Sequence, residues 1–310
     1  MAAGGGMRAI VAAFLANLGI AVAKFAGFLV TSSSSMLAES IHSVADTSNQ
    51  GLLMLGHRRS RKDATDIHQF GYGRERYFWS FVVAIVLFFL GSAFAIFEGI
   101  EKIRHPHEIE SVYVAIIILV VGIVFESGSF LTATREANLV RGERGWVEFI
   151  RHSRSPELPV VVLEDFGALI GLVLAMVAVV LSRLTEDPVW DGFGTLLIGV
   201  LLGVIAVVLA IEMKSLLIGE SATAKDRLAI RQALSGTEGV RRIIHKRTQH
   251  IGPDEILVAA KLEFAPDMDV RETAAAIDRA EAAVRAAVPA ATLIYIEPDL
   301  YRGERETDAG

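Results

Sequence analysis

Six stretches of this chain, 9–30, 36–56, 77–100, 112–133, 156–181 and 190–217, approach or exceed the roughly 20 residues a helix needs to cross a bilayer. With 52% hydrophobic residues and a mean hydropathy of +0.46, the composition is that of an integral membrane protein. An even number of spans leaves both termini on one side. Basic loop residues choose that side. The segment after the second span carries Arg58, Arg59, Arg61, Lys62, Arg74 and Arg76, and the segment after the fourth carries Arg135, Arg141, Arg144, Arg151 and Arg154. The opposite loops offer only Lys102, Arg104 and Arg183. The positive-inside rule puts both basic loops and both termini in the cytoplasm, and a bacterial inner membrane is the expected location. The first apolar stretch is too long, and lacks an obvious small-residue cleavage site, to read as a removable signal.

Within the second stretch, His42 and Asp46 stand four residues apart, so on a helix they share a face. Ionisable groups inside a span are costly, and two liganding groups at this spacing read as a site for one metal ion. Imidazole with carboxylate suits a borderline divalent ion such as zinc. The bland reading is a hydrogen-bonded pair that orders the bundle.

Composition narrows the chemistry. There is no cysteine, so metal ligands must come from His, Asp and Glu, and nothing favours copper(I). The net charge of −6 has no long basic run to suggest nucleic acid. Without a GxxxxGK[ST] loop or an HExxH motif, neither ATP-driven pumping nor a zinc-protease activity is indicated, and no resident cofactor is expected.

After residue 217 the pattern changes to a small soluble domain. Residues 223–234 read as a helix, 240–248 and 256–264 as strands, 270–288 as an amphipathic helix with Ile277, Val284 and Val288 on one stripe, and 292–296 as a final strand. The domain organisation is then a short flexible N-terminus at 1–8, a transmembrane domain at 9–218, an αββαβ cytoplasmic domain at 219–300 and a polar tail at 301–310.

The run Ser34-Ser35-Met36-Leu37-Ala38-Glu39-Ser40-Ile41-His42-Ser43-Val44-Ala45-Asp46, the following His68-Gln69-Phe70-Gly71-Tyr72-Gly73-Arg74 and the αββαβ tail together resemble the cation diffusion facilitator family of metal/proton antiporters. The resemblance covers nearly the whole chain. It implies an α-helical membrane protein with six transmembrane helices, a ferredoxin-like C-terminal cytoplasmic domain, a homodimer, and export of divalent metal in exchange for protons.

One departure bears on the site. The family's usual four ligands include an HxxxD in the fifth span, and this fifth span has no histidine; it reads Pro156-Glu157-Leu158-Pro159-Val160-Val161-Val162-Leu163-Glu164-Asp165-Phe166-Gly167-Ala168. Its LEDxxA pattern is similar to a divergent branch related to animal zinc transporters. An ungapped placement of the usual motif falls on Glu157 and Val161, so depth must choose among the acids. At 1.5 Å per residue, Asp46 lies about 15 Å from the outer start of its span and Asp165 about 13 Å from the opposite start, which brings the two to similar depth. Glu157 stays near the interface. The expected ligands are therefore His42, Asp46 and Asp165, with Glu164 next and Glu157 third. Glu164 and Asp165 point about 100° apart on a regular helix, so joint ligation calls for local distortion, for which Pro159 is a source. The structural alternative for both is capping, or pairing with Lys24.

Other polar groups have competing readings. Glu126 is a ligand, a proton carrier or a partner of Ser127, Ser129 or Asn17, while Asn17, Asn49 and Ser43 read as helix-packing polar residues, Asn49 also as a support to the ligands. The loop cluster Asp63, Asp66 and His68 resembles a second metal region of some relatives but reads better as solvated loop. His245 and His250 lie about a tail strand, His105 and His107 in an outer loop, and His152 at an exposed cytoplasmic position. The functional expectation is export of zinc from the cytoplasm against protons. Manganese, iron or cobalt transport, or a metal-gated channel or sensor without proton coupling, is the alternative.

Overall fold

The computed structural model describes residues 3–31, 34–106 and 112–302; within these, the side chains at 3–9, 16, 24, 27, 28, 30, 31, 34–43, 45 and 46 lie outside the description. The chain forms two compact units, Met1–Asp63 with Glu75–Ser215, and Ala64–Arg74 with Leu216–Gly310.

The first unit is helical. Its elements are α1 (Ala3–Thr31), α2 (Ser34–Ser60), α3 (Glu75–Val86), a π-helical segment Leu87–Ala93, α4 (Phe94–Arg104), α5 (Val112–Arg141), the short α6 (Trp146–His152), α7 (Glu157–Thr185) and α8 (Val189–Ile218). Among the described residues, four helices are long and apolar enough to cross a membrane: Glu75–Arg104, Val112–Arg141, Glu157–Thr185 and Val189–Ile218. Helices α1 and α2 match them in length at 29 and 27 residues. Helix α2 is the polar one, with Thr47, Ser48, Asn49 and Gln50 in succession, so it needs neighbours to shield it from lipid.

Packing follows small and polar stripes. On α5 the buried residues are Gly122, Glu126, Ser129, Ala133 and Ala137, spaced by three or four and hence on one face, and that face meets α7 at Gly122 against Leu172 and at Ser129 against Asp165. The outer face of α5 exposes Ile117, Val120, Val121 and Val124, as a lipid-facing surface would. The first half of α7 is buried nearly all round, from Glu157 through Val162 and again at Glu164, Asp165 and Gly167. A helix enclosed in this way is a central element of its bundle.

The π-helical segment and α6 were not foreseen from the apolar pattern. A π-segment widens the backbone ring by one residue without changing hydropathy, so no periodicity announces it. Here it sets Ser92 against α8, where the Ser92 hydroxyl donates to the Gly199 carbonyl at 2.8 Å. Small residues let these backbones touch. A Cβ on Gly99 would lie 2.6 Å from the Leu196 nitrogen, and one on Gly199 would lie 2.7 Å from the Ile96 nitrogen. Backbone cannot yield as a side-chain tip can. We expect Gly99→Val to cost about 3 kcal/mol, the upper end of the overpacking range, read as a lower unfolding midpoint in detergent; Gly128→Ala, where a Cβ meets nothing within 4 Å, serves as the neutral control.

The second unit holds α9 (Ala224–Ser235), β1 (Val240–Gly252), β2 (Glu255–Phe264), α10 (Val270–Ala287) and β3 (Leu293–Pro298). The sheet order is β1-β2-β3, antiparallel between the first pair and parallel between the second. This is the αββαβ order read from the sequence, with each element shifted by a few residues at most. Helix starts follow capping chemistry: the Thr223 side chain accepts from the Asp226 N–H, and Asp269 with Glu272 forms a reciprocal capping box. Ile256, Val258, Ala260, Leu262 and Phe264 alternate along β2 and face the core. On α10 the buried stripe is Ala276, Ala280 and Val284, continued by Val288 just past its end, with Ile277 at its margin rather than at its centre. The alanines let the helix lie close to the sheet, which hydrophobicity alone underrates. Lys261 on β2 pairs with Glu297 at 3.0 Å and Asp299 at 3.2 Å, and hydrogen bonds to these two carboxylates hold its ammonium above the usual lysine range.

The loop Ala64–Arg74 belongs to this second unit. Gly73 lies against the turn of the β1–β2 hairpin, where an added Cβ would sit 2.9 Å from the Gly252 Cα and from the Ile251 carbonyl oxygen. Only hydrogen fits there, which gives the glycine of this loop motif a packing reason.

Candidate metal site in the helical unit

The relative direction of the helices decides which residues share a level. The first turn of α7 meets the first turn of α3 through Arg76 and Glu157, whose guanidinium and carboxylate form a buried bidentate pair, one arm of it 2.9 Å from Arg76 Nη2 to Glu157 Oε2. Tyr77 donates to the Arg154 carbonyl at 3.2 Å beside it. The last turns of α2 lie against the same end of α3, where a Cβ on Gly56 would be 2.9 Å from the Trp79 Cβ. Helix α2 therefore ends where α3 and α7 begin, and it runs antiparallel to α7.

Midway along α2, and in the third turn of α7, lies a polar network. Asn49 Nδ2 donates to Glu164 Oε1 at 2.8 Å and Gln50 Nε2 donates to Glu164 Oε2 at 3.1 Å, while the Gln50 carbonyl oxygen accepts from Asn17 Nδ2 of α1 at 3.3 Å. All four residues are buried. Asp165, only 2% exposed, turns instead to α5, where the Ser129 hydroxyl donates to its Oδ2 at 2.6 Å. The two adjacent acids thus address different helices, as successive residues of a regular helix must.

This corrects one expectation. Pro159 produces no break: α7 is α-helical without interruption from Glu157 to Thr185, because a proline in the first turn removes an N–H that has no intrahelical acceptor anyway. The third-ranked candidate, Glu157, is held by Arg76. Glu126 is buried on the same α5 stripe as Ser129.

The sequence-predicted pair His42 and Asp46 lies in α2, but both side chains are outside the described residues, as is that of Lys24, so the structure does not place them. Among the described residues no group of three or more His, Asp or Glu side chains is close enough to hold a metal. The amide partners Asn49 and Gln50 were the part of the site that sequence reasoning underweighted: Asn49 entered only as packing or support, and Gln50 not at all. Their signal was spacing, since Asp46, Asn49 and Gln50 fall at i, i+3 and i+4.

Elsewhere, among the described residues, the histidines are not gathered into metal-binding groups. His68 is exposed and stacks on Tyr72 with ring centroids 4.6 Å apart, and Asp63 and Asp66 are each exposed. His152 is exposed with Nδ1 3.2 Å from the Glu148 carbonyl oxygen, and His105 is exposed beside Glu101. His250 is buried in β1 with Nδ1 3.2 Å from the Gly252 carbonyl oxygen, whereas His245 is exposed on the same strand. His107 lies outside the described residues.

Residues 10–218 match the cation efflux transmembrane domain model, and residues 223–299 match the cytoplasmic domain of cation efflux proteins. The mitochondrial proton-coupled zinc antiporter SLC30A9 of Mus musculus and that of Homo sapiens are each 30% identical over 243 residues, covering 78% of this chain and 43% of the relative. Metal tolerance protein C4 of Arabidopsis thaliana is 29% identical over 266 residues, covering 85% of this chain and 58% of the relative. The chain spans about half the length of the curated relatives it matches. With two thirds of its length in one model and most of the remainder in the companion model, the chain belongs to the cation efflux, or cation diffusion facilitator, family, a family of transporters rather than enzymes.

Proposed function

We propose that the protein is a secondary transporter that exports a divalent transition-metal ion, zinc first, from the cytoplasm in exchange for protons. The observation that carries this is the pair of buried acids Glu164 and Asp165 in the third turn of α7, in an apolar bundle, with Glu164 bonded to Asn49 and Gln50 of α2, the helix whose sequence carries Asp46. From the Asn49–Glu164 contact, Asp46 lies about 5 Å further from the common helix end and Asp165 about 1.5 Å further, close enough in height to share an ion. His42 continues that α2 face by one more turn. The ligand set in this reading is His42, Asp46, Asp165 and Glu164. The zinc-antiporter and metal-tolerance relatives support the cargo and the exchange.

Six spans follow in this reading, with α1 and α2 completing the four apolar ones and both termini in the cytoplasm. The C-terminal domain, matched by a model whose name denotes dimers, joins two copies as a homodimer of ferredoxin-like folds. Metal binds to deprotonated ligands from the cytoplasmic side and offsets charge that would be costly in the span. On the outward-open side, protons compete for the same imidazole and carboxylates, the metal leaves, and the protonated site returns. One site then serves both cargoes.

Reconstituted protein, given a panel of zinc, manganese, iron(II) and cobalt(II) at controlled internal and external pH, tests the reading. The expected result is zinc flux with opposing proton flux, each stopped when the other's gradient is held against it. Metal flux without proton movement would make the protein a channel, and an absence of metal binding in equilibrium dialysis would end the transport reading altogether.

A further inference from the structure

Asn49 is 2% exposed, and its two polar ends have different fates. The amide nitrogen donates to Glu164 Oε1 at 2.8 Å, while among the described residues the carbonyl oxygen Oδ1 has no hydrogen-bond partner. The orientation of the amide follows from chemistry. A carboxylate only accepts, so the NH₂ group turns towards Glu164 and the oxygen turns away. A buried carbonyl oxygen left without a donor has given up its hydration for nothing, which requires an explanation in a network otherwise well paired. Gln50, one residue on, shows the contrast: its nitrogen also donates to Glu164, and its oxygen accepts from Asn17.

Position supplies the explanation. His42, Asp46 and Asn49 recur at i, i+4 and i+7 on α2, the spacing of a single helix face. Asn49 is one turn from Asp46 and is tied to Glu164, next to Asp165. An oxygen there with a lone pair to spare has a cation as its natural partner.

We propose that Asn49 is itself a metal donor, its Oδ1 coordinating the transported ion while its NH₂ holds Glu164, and that it sets the metal preference of the site. This rests on the transport reading and adds to it. An amide performs both tasks with an oxygen as the metal donor, whereas a second carboxylate would repel Glu164 and a serine offers one short hydroxyl. A neutral amide oxygen is a hard donor. It favours manganese and other oxygen-seeking ions over zinc, relative to the nitrogen that a histidine would supply. The chain that lacks a histidine in its fifth span thus has an oxygen donor on its second.

The test uses full-length protein in detergent, titrated calorimetrically with manganese(II) and with zinc(II), and followed with cobalt(II) by visible absorption. Asn49→Ala should weaken manganese binding by about 10-fold or more, with zinc affected much less, and should change the cobalt spectrum because a ligand is lost. Asn49→His keeps an N–H for Glu164 and replaces oxygen with nitrogen, so the zinc-to-manganese preference should rise about 10-fold. If the alanine variant does not fold, the histidine variant decides alone. A merely structural Asn49 predicts equal weakening for both metals and an unchanged cobalt spectrum, and that result overturns the proposal while leaving the transport reading intact. Wild-type protein that binds neither metal would instead overturn the transport reading, and this inference with it.

Discussion

Asp165→Ala should abolish metal transport in proteoliposomes, with flux at least about 100-fold below wild type, while the purified protein keeps its oligomeric state. The size of the effect follows from the site's chemistry: partners outside the ligand sphere are typically worth 10–100-fold, so removing a charged ligand sits at or beyond the upper end. Ser129→Ala supplies the internal scale. It deletes the 2.6 Å hydrogen bond to Asp165 without deleting the carboxylate, and should cost about 10-fold. Asp46→Ala should match Asp165→Ala. Normal flux in either aspartate variant would remove that residue from the site, and equal losses in Ser129→Ala and Asp165→Ala would show that Asp165 acts through packing.

Arg76→Met should destabilise the helical unit by about 3–5 kcal/mol, because it leaves the Glu157 carboxylate buried without its guanidinium. Replacing both partners should recover most of the loss. A buried ion pair offsets its own desolvation only partly, so Arg76→Met combined with Glu157→Met is expected to unfold near the wild-type midpoint in a detergent melt. If the double variant is as unstable as the single one, the pair holds α3 and α7 together in a way that apolar contact cannot replace. If the single variant is unaffected, Glu157 is not carried as a buried charge, and it returns to consideration as a ligand.

The two predictions turn on acids eight residues apart on one helix, which the sequence ranked by depth alone. Counting 1.5 Å per residue put Asp165 at mid-span and Glu157 at its end, which needed no knowledge of neighbours. What depth could not give was the partner of each acid. Arg76 lies 81 residues from Glu157, Asn49 lies 115 from Glu164, and Ser129 lies 36 from Asp165. No local pattern joins such pairs, because they meet only when helices pack. Pro159 shows the reverse error: read locally it was a source of distortion, yet its place in the first turn of α7 makes it harmless.

The tail was legible for a different reason. Period-two alternation in β2 and the helical apolar stripe of α10 are local signals tied directly to backbone geometry, so the αββαβ order followed from them. The loop motif around Gly73 was visible as a pattern, but its reason was not. The close approach to Gly252 involves a residue 179 positions further on in the numbered chain.

Sequence alone determined what depends on each segment's own length, polarity and period: long apolar helices with basic loops between them, one polar helix carrying His42 and Asp46, and a small mixed domain after them. Tertiary structure decided how adjacent acids are divided among neighbours, Glu164 to the amides of α2 and Asp165 to the hydroxyl of α5, and it left the Asn49 oxygen without a described partner. The physical reason is range. Backbone conformation and hydropathy are set within a few residues, whereas a buried carboxylate is satisfied by whichever donors helix packing brings within about 3 Å of it.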